Sequence, residues 1–194
     1  MLVHGAGRIP DIDDLDLEKA GVSREKQGVS VNEYLQSVSN PAVYAAGDAA
    51  ASGGLPLTPV ASMEGHVAAS NMLEGNHRTP DQTGVQTVVF TVPPLASVGL
   101  NEDQARAQGL KFTVKHEETS SWYSSRRIGV RYSGFKVLVE EGSRRVLGAH
   151  LLGPHAEEVV NLFALAIRTG LNADKLKTMV YAYPTSASDV SYMV

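Results

Sequence analysis

The sequence predicts an α/β segment followed by an α+β domain with an antiparallel sheet, and three observations predict it. Residues 74–84 are polar, rich in turn formers and free of apolar periodicity, so they read as a linker between two patterns. Before them, short apolar runs bounded by Gly, Asn and Pro alternate with helix-start signals. After them come strands in hairpins, joined by Gly-containing turns, with a few helices, one of them strongly apolar.

Each element follows from local pattern. Residues 1–7 read as the end of a buried strand, and 15–20 as a short helix stopped by Gly21. Runs 29–31 and 42–46 read as strands, the second leading directly into Gly47-Asp48. Thr58 and Pro59 announce a helix to about Leu73, the hydroxyl capping free N–H groups and the proline suiting the first helical position. Residues 86–91 form a strand, and Asn101 caps a short helix with Glu102 and Asp103 in its positive first turn, Gln104 completing a capping box and Gly109 ending it. Phe112 and Val114 alternate with Lys111, Thr113 and Lys115 in a half-exposed strand. Runs 135–140 and 146–152 make a hairpin across Glu141-Gly142-Ser143. The helix 157–169, closed by Gly170, is apolar at 159, 160 and 162–167, so it needs cover on more than one side. Asn172 caps a last helix with Leu176, Met179 and Val180 on one face.

Composition narrows the function classes. The 194 residues carry 17 Lys+Arg against 21 Asp+Glu, a net charge of −4, with 43% hydrophobic and 6% aromatic residues. That is the profile of a globular protein of one large domain or two small ones, with no basic field for nucleic acid or an anionic membrane. No run approaches the roughly 18 apolar residues of a spanning helix. Met1 leads into Leu-Val-His-Gly rather than a basic stretch and an apolar core, so no signal peptide is expected, and the cytoplasm is the expected compartment. Zero cysteines remove disulfides, thiolate metal sites and dithiol chemistry from this chain alone.

The strongest local signal is Val43-Tyr-Ala-Ala-Gly-Asp48 with Leu57-Thr-Pro-Val-Ala61 opening a helix soon after. A carboxylate at a strand end beside a helix N-terminus suits a polar ligand. Glycine admits the ligand to the backbone, aspartate accepts from hydroxyls, and the helix end offers free N–H groups and about half a positive charge. The competing reading is a plain Gly-Asp turn capped by Asp48.

Residues 42–61 resemble the second flavin motif of the pyridine nucleotide-disulfide oxidoreductases. The likeness extends both ways: Gly7-Arg8-Ile9-Pro10, Leu17-Glu-Lys-Ala-Gly-Val22 and Val29–Asn32 precede it in family order. Phe90-Thr-Val-Pro-Pro-Leu-Ala-Ser-Val-Gly99, Gly134-Phe-Lys-Val137, Leu147-Gly-Ala-His-Leu-Leu-Gly153 and Ala156-Glu-Glu158 resemble the family's interface domain. The resemblance implies that 1–12 end a nicotinamide domain, 13–83 are a remnant of the FAD-binding domain with its linker, and 84–194 are the dimerisation domain. It implies FAD and NAD(P)H as cofactors of the complete enzyme and a homodimer as its assembly. Asp48, beside Gly47, would hold the ribityl chain, and the helix opened by Thr58, Pro59, Val60 and Ala61 would aim its N-terminus at the N1/O2 edge of the flavin. The family's Gly-x-Gly-x-x-Gly turn, redox Cys pair and second Gly-rich turn are not in this sequence. The chain alone is therefore expected to be inactive and to bind FAD weakly or not at all.

Tyr183-Pro-Thr185 falls where disulfide reductases of the family carry His-Pro-Thr followed by Glu, and where mercuric reductases have a Tyr. Ser188 holds the Glu position, with Asp189 beside it. A phenol, with an ordinary pKa of about 10, is a poor base at neutral pH but donates a hydrogen bond. Tyr183 is thus the candidate catalytic residue, expected at the subunit boundary facing the partner's flavin site, against the plainer reading of a turn with a packed ring. His4, His66, His77, His116, His150 and His155 lack metal-ligand spacing, so no metal site is expected. Arg126-Arg127 and Arg144-Arg145 read as solvated hairpin ends, and 119–125 as a surface loop anchored by Trp122 and Tyr123. Two functions remain: the flavin-contacting and dimerising C-terminal region of an FAD-dependent oxidoreductase of unknown acceptor, or a dimerising interaction module without cofactor or activity.

Overall fold

A computed structural model describes residues 1–3, 5, 7 and 9–194, so His4 and Arg8 lie outside the described residues. The chain divides into two compact units, 1–82 and 83–194.

In the first unit, strands β1 (Arg24–Glu25) and β2 (Gly28–Val29) pair antiparallel, and one long helix, α1 (Thr58–Glu74), follows. Ile12, Leu17, Val22 and Val29 form one small apolar cluster, and Leu35, Val67 and Ala68 another. Several expected elements come out shorter. Met1, Leu2 and Val3 take no strand and are exposed, because no strand of this unit pairs with them among the described residues. Residues 15–20 form tight turns instead of a helix: a 3-10 turn at Asp13–Leu15, then Lys19 N–H donating to Asp16 O at 2.9 Å and Gly21 N–H to Glu18 O at 3.1 Å. Asp16, left-handed at φ 49°, breaks the helical path, and so short a segment does not nucleate an α-helix unaided. The run 42–46 makes only a bridge from Tyr44 to Gln36 and a bond from Ala45 N–H to Leu35 O at 3.0 Å, before turning at Gly47–Ala49.

Helix α1 begins where expected but by another device. Leu57 occupies the cap position, Thr58 is already helical and makes no capping bond, and Pro59 follows in the first turn. Its buried stripe is Val60, Glu64, Val67, Ala68 and Asn71, at helical spacing but with two polar members. Asn71 also corrects the linker: its amide donates to Tyr34 O at 2.9 Å and Arg78 O at 2.8 Å and accepts from His77 and Arg78 N–H, tying 77–78 to this unit.

The second unit is a five-stranded antiparallel sheet in the order β3-β4-β7-β6-β5, comprising β3 (Gln86–Val89), β4 (Leu95–Gly99), β5 (Phe112–Glu118), β6 (Gly134–Glu140) and β7 (Val146–Leu152). The β6–β7 hairpin has the expected ends, with a register shift at Leu138/Val139. Strand β4 had no sequence forecast. Its Gly99 pairs with Gly148 of β7, and a Cβ on Gly148 would lie 2.0 Å from Leu100 O, so the close crossing there admits only glycine. Strands β3 and β5 are the edges. Strand β5 carries Lys115, Glu117 and Glu118, whereas β3 ends at exposed Val89, with exposed Phe90 next to it.

Helix α2 (Glu102–Ala107) has its capping box, Gln104 N–H to Asn101 Oδ1 at 2.8 Å and Asn101 N–H to Gln104 Oε1 at 2.9 Å. A one-turn helix, α3 (Tyr123–Arg127), stands where a loop was expected. Helix α4 (Ala156–Thr169) buries Val159, Val160, Phe163 and Ala166, but Leu165 on its outer side is 57% exposed. The helix is therefore two-faced, not buried all round. Helix α5 (Ala173–Thr178) buries Leu176 but ends before Met179 and Val180, which are exposed and do not share its face. A 3-10 turn, Ser186–Asp189, leads into α6 (Val190–Met193), whose Val190 and Met193 join the core with Val194.

Candidate functional site

In the first unit an open cleft of about 620 Å³ is walled by Gly47, Asp48, Ala51, Ser52 and Gly54 together with Lys26. Its wall is drawn against α1 by Glu64, whose side chain is wholly buried. Glu64 Oε2 accepts from Gly47 N–H at 2.8 Å, and Oε1 from the Ser52 hydroxyl at 2.7 Å and the Gln82 amide at 3.4 Å. Gly54 N–H donates in turn to Ser52 Oγ at 3.1 Å. Gly47 itself, at φ 64°, has no room for a side chain, since a Cβ would lie 2.8 Å from Ala61 Cβ. Only glycine lets this loop press on the first turn of α1.

The six residues expected at a cofactor separate into three kinds. Gly47 and exposed Asp48 line the cleft. Thr58 and Pro59 are exposed at a helix start that no side chain of its own caps. Val60 points into the core and Ala61 packs on Gly47, so these two offer backbone rather than side chains. Glu64 escaped the sequence reading. Its signal was its place on the stripe Val60, Glu64, Val67, Ala68, Asn71: a carboxylate on an inward face must be hydrogen-bonded, and Gly47 and Ser52 are its donors.

In the second unit Tyr183 is 76% exposed, its ring stacked on that of Tyr123 with centroids 6.2 Å apart and planes 29° apart. Ser188, at the position of the expected Glu, serves the backbone: Ser188 N–H donates to Thr185 Oγ1 at 3.2 Å, and the Ser188 hydroxyl to Thr185 O at 2.6 Å. Asp189 accepts from the Ser124 hydroxyl. Partial burial pushes the Asp189 carboxyl above its ordinary value, and the Ser124 bond opposes that shift. Trp122, forecast as a loop anchor, packs on Phe135 at 5.7 Å and Tyr192 at 6.1 Å. Tyr181 donates to Leu176 O at 3.0 Å, and burial raises its phenol pKa. Arg126 and Arg127 are exposed, while Arg144 pairs with Asp174 and Arg145 with Glu140. Among the described residues no group of three or more His, Asp or Glu could hold a metal ion, and no helix is long and apolar enough to cross a membrane.

Comparison with known proteins gives these sites a context. The family description "Pyridine nucleotide-disulphide oxidoreductase, dimerisation domain" matches residues 85–194, and "Pyridine nucleotide-disulphide oxidoreductase" matches residues 1–65. An uncharacterized 19.7 kDa protein in a mercuric resistance operon of Staphylococcus aureus is 50% identical over 180 residues, which are 93% of this chain and 100% of that protein. The mercuric reductase of Staphylococcus aureus is 35% identical over 93% of this chain, but the match is only 33% of that enzyme. The solved structure of the HOCl-induced flavoprotein disulfide reductase RclA from Escherichia coli superposes with a TM-score of 0.86 at 26% identity, over 97% of this chain and 43% of that one. The chain thus spans the whole of one relative and a third to less than half of the flavoenzymes. With more than half its length matched by the dimerisation-domain description, it belongs to the pyridine nucleotide-disulphide oxidoreductase family.

Proposed function

We propose that the chain is the C-terminal, flavin-contacting and dimerising region of an FAD-dependent NAD(P)H oxidoreductase. Residues 1–12 end its nicotinamide domain, 13–83 close its FAD-binding domain, and 84–194 form its dimer interface. The supporting observation is the juxtaposition of Asp48, on the wall of the cleft of about 620 Å³, with a loop pressed on the uncapped first turn of α1. The residues present fit FAD: Asp48 accepts from ribityl hydroxyls, Gly47 keeps the wall thin, and the α1 N-terminus favours negative charge. Cleft size is also in the range of about 300–1,000 Å³ common for ligand sites. FAD would supply hydride relay between NAD(P)H and an acceptor. Tyr183 would meet that acceptor at the subunit boundary and stabilise developing negative charge by a phenolic hydrogen bond.

Joining the chain to the N-terminal portion of the Staphylococcus aureus mercuric reductase should restore a complete family subunit. That chimera is expected to purify yellow with about one FAD per chain and to lose FAD on Asp48→Ala. The chain alone should carry little FAD and consume no NADPH, because each missing charge-assisted bond to the pyrophosphate withholds about 1.5–3 kcal/mol. In sedimentation at tens of micromolar it should run at twice its 20.7 kDa mass. A colourless, folded chimera would sink the flavin reading, and a monomeric chain the dimer.

Tyr183→Phe in the chimera should slow acceptor reduction on the order of 10²-fold while flavin reduction by NADPH keeps its rate. Stopped-flow measurement of the two half-reactions checks this. Equal rates in both would make the phenol a structural ring only.

A further inference from the structure

The Tyr183 site contains a contact that its exposure makes necessary. Tyr183 and Tyr123 stack although both rings stand largely in water, 76% and 54% exposed, and sixty residues separate them in the chain. Little burial holds them. Tyr123 rides on α3, a single five-residue turn whose N-cap residue, Trp122, makes no capping bond. A helix of that length has no stability of its own, so its orientation is set by what its side chains touch.

Three nearby side chains fix it. Trp122 packs on Phe135 and Tyr192, Ser125 is buried against the Ser133 hydroxyl at 2.9 Å, and Ser124 donates to Asp189. The first anchors the entrance to α3 on the sheet and on α6, and the second anchors α3 on the start of β6. Only the third reaches the 3-10 turn that follows Tyr183. Among the described residues the Ser124–Asp189 bond is the one hydrogen bond joining 119–133 to 181–194.

The other end is equally constrained. The Thr185–Ser188 box sets the turn, and Val190, wholly buried, pins the chain immediately after Asp189. Asp189 and Ser124 both line the small recess behind the two tyrosines, along with Arg127 and Thr185. Arg127, Tyr123 and Tyr183 are the charged or titratable groups of that recess besides Asp189.

We propose that Asp189 and Ser124 are positioning residues for Tyr183: their hydrogen bond clamps α3 to the turn and so holds the Tyr123–Tyr183 stack in one geometry at the surface. The clamp stands in the place that the family pattern gives to a Glu acting on a His, with the carboxylate moved one residue on and its hydrogen bond turned from the ring to the neighbouring helix. Its importance for chemistry rests on the reading of Tyr183 given above, but its existence does not.

The test is made on the full chain by proton NMR of selectively labelled tyrosine, reading ring-to-ring cross-peaks between Tyr123 and Tyr183 and the ring-current shift each imposes on the other. Wild type should show both. Ser124→Ala and Asp189→Ala should lose the cross-peaks while the Trp122 resonances keep their dispersion, and Asp189→Asn, which retains an accepting oxygen, should recover them. Cross-peaks that persist in a folded Ser124→Ala variant overturn the clamp. So does loss in Asp189→Asn as well as in the alanine variants, which would assign the effect to charge, and so does unfolding of both alanine variants, which would make the pair part of the core. None of these outcomes depends on acceptor reduction. A stack lost as expected, beside a Tyr183→Phe chimera with unchanged half-reactions, would keep the clamp and remove only the chemical role of the phenol.

Discussion

Glu64→Ala should lower the stability of the first unit by roughly 2–6 kcal/mol and release the wall of its cleft. The substitution strips partners from Gly47 N–H and the Ser52 hydroxyl, and a buried donor left without an acceptor costs about 1–3 kcal/mol. Gly54 would loosen too, since its N–H is held through Ser52. Glu64→Gln keeps one accepting oxygen and should cost much less. Amide hydrogen exchange is the direct reading: protection at Gly47 should fall in the alanine variant and survive in the glutamine variant. Unchanged protection at Gly47 in Glu64→Ala would show that the loop is held by something else.

Phe163→Ala should cost the second unit about 3–5 kcal/mol, the range for deleting a ring from a core that relaxes only in part. The side chain is wholly buried at the middle of α4, in the cluster that joins the helix to β4, β6 and β7. Trp122 is the only tryptophan of the chain and lies in this unit, so its fluorescence during urea unfolding reports this unit and not the other. A loss under about 1 kcal/mol would mean that α4 contributes far less to the core than its burial indicates.

Much of the fold is legible in the sequence because its signals are local. Asn101 and Gln104, three residues apart, carry their own instruction for a capped helix, and the 135–152 hairpin follows from alternation and one Gly-containing turn. Gly47-Asp48, which line the cleft, and Thr58-Pro59, which open α1, are local signals of the same kind. What stayed hidden was set by distant partners. Strand β4 exists because β3 and β7 flank it. Residues 15–20 had helical composition but turned on a left-handed Asp16. Glu64 and Asn71 are both helix-compatible polar residues, and only the loops they bond reveal why they face inward. The Ser124–Asp189 pair joins positions 65 residues apart, beyond the reach of any local pattern.

The unlike edges of the sheet bear on how the protein ages. Charged side chains along β5 discourage a stray strand from adding there, but the edge strand β3 ends at exposed apolar Val89, with exposed Phe90 next to it. Accretion is therefore directional, starting from one side of the molecule. If subunits pair as proposed, dilution is the stress that most shortens working life, because it frees lone subunits for proteases. Concentrated stocks should outlast dilute ones at the same temperature.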